Sequence, residues 1–242
     1  MSAALANRTR IASISRLRAG PRAKKVLLIA CAVSLAPLLP LAVLRFVPPP
    51  ITPLMIIRAH DGYRIERQWV SLRAIAQPLR RAAIYAEDNR FCEETSGIDF
   101  DALDQAVGVW FEGKRPHGAS TITMQTARNL FLWPGRSYLR KLIELWITPQ
   151  IAILWPRQRV LEVYLNIAEF GPAIFGVQAA ARHYFGKDAS QLSVIEATRL
   201  IAVLPDPLHR TPATLAPHVL RGAQLATLPV FEGDSEFECG NP

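Results

Sequence analysis

Two groups of ionisable side chains in this sequence have the types and spacing for acid–base and phosphate chemistry. Glu87 and Asp88 follow the apolar run Ala83, Ile84, Tyr85 and Ala86 and precede Phe91. A carboxylate set against apolar side chains holds its proton more tightly and becomes a usable general base near neutral pH. An acidic pair at a helix end is equally the pattern of a solvated face. Arg140, Lys141 and Glu144 form the second group, on the helix face opposite Leu139, Leu142 and Trp146. They read either as a weak surface ion pair or as an anion-facing cluster carrying a second carboxylate. Between the two groups, Ser120, Thr121, Gln125, Arg128 and Asn129 recur beside Ile122, Ala127 and Leu130. A helix start there suits an anion, and it also suits a plain capped helix. Glu162 and Asn166 share a face, where internal hydrogen bonds are the better reading.

Positioning these groups requires helices. Leu72, Ile75, Ala76, Leu79, Ala82, Ala83 and Ala86 recur at three- and four-residue spacings, which predicts a helix ending at the acidic pair. Asp99 is the expected N-cap of a helix striped by Phe100, Leu103, Val107 and Trp110. Ser120 is the expected cap of a helix from Thr121 to Leu130. A further helix runs through Leu139 to Ile147, and Pro149 is expected to disturb its continuation. Val160, Leu161, Tyr164, Leu165 and Ala168 stripe another, ended by Gly171. Ser193 and Glu196 form a capping box for the last, which stops at Pro205. Alternation is nearly absent apart from a short extended run near Leu54 to Arg58, so the fold class is mainly α.

The formal charge of +8 suggests nucleic acid until its distribution is read. Arg8, Arg10, Arg16, Arg18, Arg22, Lys24 and Lys25 precede any acid, and the body beyond Arg45 is nearly neutral. Val26 to Leu44 carries no charge and is about long enough for a bilayer core of roughly 30 Å. The basic flank places the N-terminus in the cytoplasm and the rest outside. A cleaved signal peptide fits less well, because no small-residue cleavage site follows. Expected boundaries are a basic tail over 1–25, an anchor over 26–45, a proline-rich spacer over 46–57, a catalytic domain over 58–207 and an extension over 208–242. Cys92 and Cys239 would lie in an oxidising compartment, where a bridge is permitted but not implied. No CxxC or HExxH occurs, so neither a zinc nor a thioredoxin reading has support.

The four stretches occur in an order that resembles the family 51 peptidoglycan glycosyltransferases, closest to the monofunctional members from Gram-negative bacteria. The resemblance spans about Trp69 to Pro207 and rests on "EDNRF", "GASTITMQTARNLFL", "RKLIE", "VLEVYLNIAEFG" and "GVQAAARHYFGK". It implies a lysozyme-like helical domain behind a single N-terminal transmembrane helix. It implies polymerisation of lipid II into β-1,4 glycan strands, with inversion at the donor anomeric carbon and release of undecaprenyl pyrophosphate. By match, Glu87 is the general base and Glu144 the second essential carboxylate. Arg128, Arg136, Arg140 and Lys141 are the cations that receive the pyrophosphate. Asp88, Phe91, Ser120, Thr121, Gln125 and Asn129 shape or line the site. A glycosidase must protonate a poor leaving group, whereas a pyrophosphate needs charge neutralisation, which agrees with these residue types.

Implied partners are lipid II, the growing lipid-linked glycan, the membrane and other wall-synthesis proteins, with no nucleic acid. The sequence requires no cofactor and allows a divalent cation to assist the pyrophosphate. The resemblance places the domain on the periplasmic side of an inner membrane. Three departures stand out: Glu94 where the family has histidine, Met124 where it has glutamine, and Ala152 where relatives carry an acid. Glu94 and Met124 keep open an inactive lipid II-binding scaffold, and the helical fold itself keeps open a lysozyme-like lytic enzyme. No SxxK, SDN or KTG set for a transpeptidase is present.

Overall fold

A computed structural model describes residues 20–112, 120–135, 137–215 and Cys239. The chain divides after Ala36 into two compact units. The first contains helix α1, Pro21–Leu35, entered at a proline in its first turn. Lys24–Leu44 is the one stretch among the described residues long and apolar enough to cross a bilayer.

The second unit opens with α2, Leu38–Leu44, whose Leu41 is fully buried and whose Leu41 carbonyl accepts from Trp155 Nε1 at 2.7 Å. The extended run expected near Leu54 to Arg58 is instead helix α3, Pro53–His60. Thr52 caps it and Pro53 supplies a preset φ at its start, and these local signals outweigh the β-branched Ile56 and Ile57. The expected long helix from Leu72 is split. Leu72–Ala74 makes one 3₁₀ turn, and α4, Gln77–Glu87, begins where Pro78 can sit in a first turn. Helix α5, Phe100–Phe111, is capped as expected, with Asp99 Oδ1 accepting from Ala102 N at 2.9 Å. The side chains of Val107 and Trp110 lie outside the described residues.

Helix α6, Ile122–Phe131, is capped by Thr121 rather than Ser120, because the Thr121 hydroxyl accepts from Met124 N at 3.1 Å. Helix α7, Tyr138–Leu154, runs straight through Pro149, contrary to the expected interruption. Two side chains take up carbonyls beside the proline: Thr148 donates to Glu144 O at 2.7 Å and Gln150 to Trp146 O at 3.0 Å. Burial of Ile147 and Ile151 on either side holds the helix together. Helix α8, Arg157–Ile167, ends sooner than Gly171 suggested, and Glu169–Gly171 forms strand β2. With β1, Glu66–Arg67, and β3, Ile174–Phe175, it makes a small sheet in the order β1-β3-β2, parallel then antiparallel. Helices α9, Val177–Phe185, and α10, Val194–Ile201, complete the unit, α10 behind the expected Ser193–Glu196 box.

The described unit is mainly helical. Helix α8 is its axis, buried at Val160, Leu161, Val163, Tyr164, Leu165 and Ile167. Helix α6 packs on α8 and on α7, and α10 packs on α4. Asn166 fixes the 3₁₀ approach to α4, accepting from Val70 N and donating to Val70 O, both at 2.9 Å. The structural reading of Glu162 and Asn166 therefore holds, with Glu162 accepting from Leu72 N at 3.2 Å.

Candidate active site

Helix α4 ends on Glu87, three residues after the last of its buried apolar stripe, Leu79, Ala82, Ala83 and Ile84. Asp88 then leaves the helix with extended φ and turns into α6. Its Oδ2 accepts from Ile122 N at 2.9 Å, satisfying one of the orphan donors at that helix start. Thr121 binds the same corner by donating to Gly97 O at 2.6 Å. Gly97 has φ of +72°, and a Cβ there would stand 2.8 Å from Thr123 Cγ2, so this close approach admits only glycine. Asp88 is 9 % exposed, and burial pushes its carboxyl up to about 6, helped by Asp99 and Glu94 and opposed by the Ile122 amide and Arg157.

Glu87 faces α6. Its Oε2 accepts from Gln125 Nε2 at 2.9 Å, and Gln125 Oε1 accepts from the buried Tyr164 hydroxyl at 3.2 Å. Burial raises the Glu87 pKa, while Gln125 and the positive field of Arg128 pull it back. With Asp88, Ser120 and Thr121, Glu87 lines a cavity of about 230 Å³.

The cations lie around the same helix. Arg128, Asn129, Gln125 and Arg140 line a cleft of about 310 Å³, together with Arg58, Tyr164 and Glu169. Lys141 Nζ donates to Ser120 Oγ at 2.7 Å, which ties the cation helix to the cavity that holds Glu87. Burial lowers the Lys141 pKa, and Glu144 works against that shift. Glu144 is 2 % exposed and takes both neighbours, Arg140 as a buried pair and Lys141 at 3.4 Å. The weak surface pair considered for Arg140 and Glu144 is thus replaced by a buried one, and the apolar face is the exposed one, with Leu139 and Leu142 facing outward. Arg140 Nε is buried without a hydrogen-bond partner.

Ser120, Thr121, Gln125, Arg128, Asn129, Arg140 and Lys141 therefore gather with Glu87 and Asp88 around α6. Phe91 lines neither cavity. It is 1 % exposed in the core, with the Arg157 guanidinium over its ring at 5.7 Å. Arg136 lies outside the described residues. Met124 is 1 % exposed and points into the core, so its departure from glutamine does not reach the cavities. Glu94 pairs with Arg90 at 3.3 Å.

Three residues of the cleft escaped sequence reasoning. Arg58 and Glu169 form a two-bonded ion pair at 2.7 and 2.9 Å across 111 positions, and nothing local announces it. Tyr164 was read as a core position, but a tyrosine in a buried stripe must place its hydroxyl somewhere, and that signal was available.

A sequence model of the transglycosylase family matches residues 55–227. A biosynthetic peptidoglycan transglycosylase of Caulobacter vibrioides is 46 % identical over 172 residues, 71 % of this chain and 75 % of that one. Proteins of the same name from Rhodospirillum centenum and Pseudomonas aeruginosa are 52 % identical over 169 residues and 47 % over 188. The first alignment covers 69 % of this chain and 73 % of the relative, the second 75 % and 81 %. On this match, the chain belongs to the transglycosylase family, among the biosynthetic peptidoglycan transglycosylases.

Proposed function

We propose that this protein is a peptidoglycan glycosyltransferase that joins lipid II units into β-1,4 glycan strands, with Glu87 as its general base. Glu87 takes the proton from the acceptor sugar's 4-hydroxyl as that oxygen attacks the donor anomeric carbon. The bond to the undecaprenyl pyrophosphate breaks on the opposite face, so the configuration inverts. The carboxylate must be ionised to act, and a raised pKa makes it a stronger base once it is. Pyrophosphate leaves as an anion and needs positive charge rather than an acid. Arg128, Arg140 and Lys141 supply that charge, and the unpaired Arg140 Nε is a donor already stripped of water. Glu144 holds Arg140 and Lys141 in place. It serves the reaction by orienting cations, since both of its neighbours occupy its oxygens.

The residues present do not fit a resident divalent cation. Asp88 is committed to the Ile122 amide and Glu144 to two cations, and the described residues contain no group of three or more metal-binding side chains. No step here runs through a metal.

One observation carries the reading: a half-buried carboxylate and a set of cations gather around one helix, α6, linked by Gln125 to Glu87 and by Lys141 to Ser120. A lytic enzyme would need a carboxylic acid beside the leaving oxygen and would gain nothing from the cations. The apolar segment Lys24–Leu44 supports a single-pass anchor, N-terminus in the cytoplasm, with a lysozyme-like domain over 58–207 in the periplasm on an inner membrane. Incubation of detergent-solubilised protein with labelled lipid II, followed by gel separation of strands, tests the activity. Glu87→Gln is expected to abolish polymer while leaving the fold and lipid II binding intact. Polymer at the wild-type rate from that variant refutes the assignment.

A further inference from the structure

Tyr164 has no place in the mechanism above, yet its side chain is wholly buried at the centre of α8 with one polar atom. That atom donates to Gln125 Oε1 at 3.2 Å, and Gln125 in turn gives Nε2 to Glu87 Oε2 at 2.9 Å. An amide offers a carbonyl on one side and an NH₂ on the other, and it can turn over between them. Ser120 O, 3.4 Å from Gln125 Nε2, favours the same orientation.

We infer that Tyr164 is a positioning residue for the glycosyl transfer: by donating to the Gln125 carbonyl, its hydroxyl steadies the amide with its NH₂ toward Glu87, the orientation that the acceptor Ser120 O also selects. The inference rests on Glu87 being the base. An NH₂ beside the carboxylate favours the ionised form that accepts the proton. A carbonyl there would favour the protonated, idle form. The phenol borders the cleft but is only 1 % exposed, and its hydroxyl is engaged by Gln125, through which it acts.

The other charged and titratable groups around Glu87 are Arg128 on α6, Asp88 beside it, and Tyr85 of α4, which lines the same cavity. Asp99 shares the smaller cavity, and Lys141 reaches that cavity through Ser120. The hydrogen bond to the Gln125 carbonyl comes from Tyr164, so its contribution is separable from theirs.

The experiment follows polymerisation of lipid II against pH in the full-length protein, with wild type, Glu87→Gln, Tyr164→Phe, Gln125→Met and the double variant. Phenylalanine keeps the ring and removes one oxygen. A buried hydrogen bond shifts an equilibrium by about three- to tenfold, so the midpoint of the acid limb should rise by roughly 0.5–1 pH unit in Tyr164→Phe. The rate loss should be largest below that midpoint. Gln125→Met should raise the midpoint too, and adding Tyr164→Phe to it should move the limb no further. An unmoved limb in Tyr164→Phe, or two shifts that add, overturns the inference. If Tyr164→Phe does not fold, Gln125→Met decides alone, and an unmoved limb there overturns it. Failure of the base assignment looks different: Glu87→Gln then polymerises, whatever the tyrosine does.

Discussion

Asp88 and Glu87 are neighbours with opposite assignments, and their surroundings explain the split. Asp88 spends its oxygen on the start of α6. Glu87 keeps one oxygen outside the Gln125 bond and faces a cavity. The raised pKa of Asp88 has a consequence for stability. A carboxyl that titrates near 6 in the fold, against 3.8 as its ordinary value, favours the folded state at low pH. That advantage is full below about pH 4 and is lost as pH rises through 6. Asp88→Asn keeps an acceptor for Ile122 and removes the charge. Melting curves of the two proteins between pH 4 and 8 should show the variant gaining on wild type as pH rises, by on the order of 2 kcal/mol. Parallel pH dependence in both would contradict this account of the carboxyl.

Helix α7 shows what elements add to residues. Its charged side faces inward, so removing Arg140 leaves the buried Glu144 with the half-exposed Lys141 as its one remaining cation among the described residues. Arg140→Met is expected to cost about 3 kcal/mol, and Arg140→Met with Glu144→Leu to recover most of it in chemical denaturation while polymerisation stays lost. The double variant therefore separates the fold from the chemistry. Sequence reasoning located this cluster by residue type and left open whether it was a surface ion pair or an anion-facing group. Local spacing reports which residues share a face, not which way that face turns. The same limit explains some of the other misses. The Asp99 cap and the Ser193–Glu196 box are local and were legible, whereas the Ser120 cap was one residue off and the Gly171 stop several. Helix α3 was written locally, in Thr52 and Pro53, and was passed over for its β-branched residues, whereas the Arg58–Glu169 pair and the three short strands depend on partners far along the chain, which short local patterns do not carry. The run through Pro149 is accompanied by side-chain bonds from Thr148 and Gln150 to the carbonyls flanking the proline's own, and by burial of Ile147 and Ile151, which no helix propensity contains.

At the scale of the molecule, the bridge between Cys92 and Cys239 joins positions 147 apart. It sets Cys239 against α8, where Gln158 Nε2 donates to Cys239 O at 2.5 Å. Sequence alone left this pairing open, since spacing permits a bond without requiring one. Such a closure needs an oxidising compartment, in keeping with a domain outside the cytoplasm. Replacing both cysteines with serine should lower stability by roughly 2–4 kcal/mol, and alkylation of the unreduced wild type should leave both thiols unlabelled. Labelling of Cys92 without prior reduction would contradict the bridge. The outward-turned residues of α7 have a practical consequence as well. Tyr138, Leu139, Leu142 and Ile153 are more than half exposed, as are Phe46, Val47, Ile51 and Ile56 nearer the N-terminus. Greasy surface of this extent self-associates in plain buffer. Cutting away everything before Pro37 should therefore not yield a freely dispersed monomer: light scattering should find clusters until a mild surfactant coats those side chains.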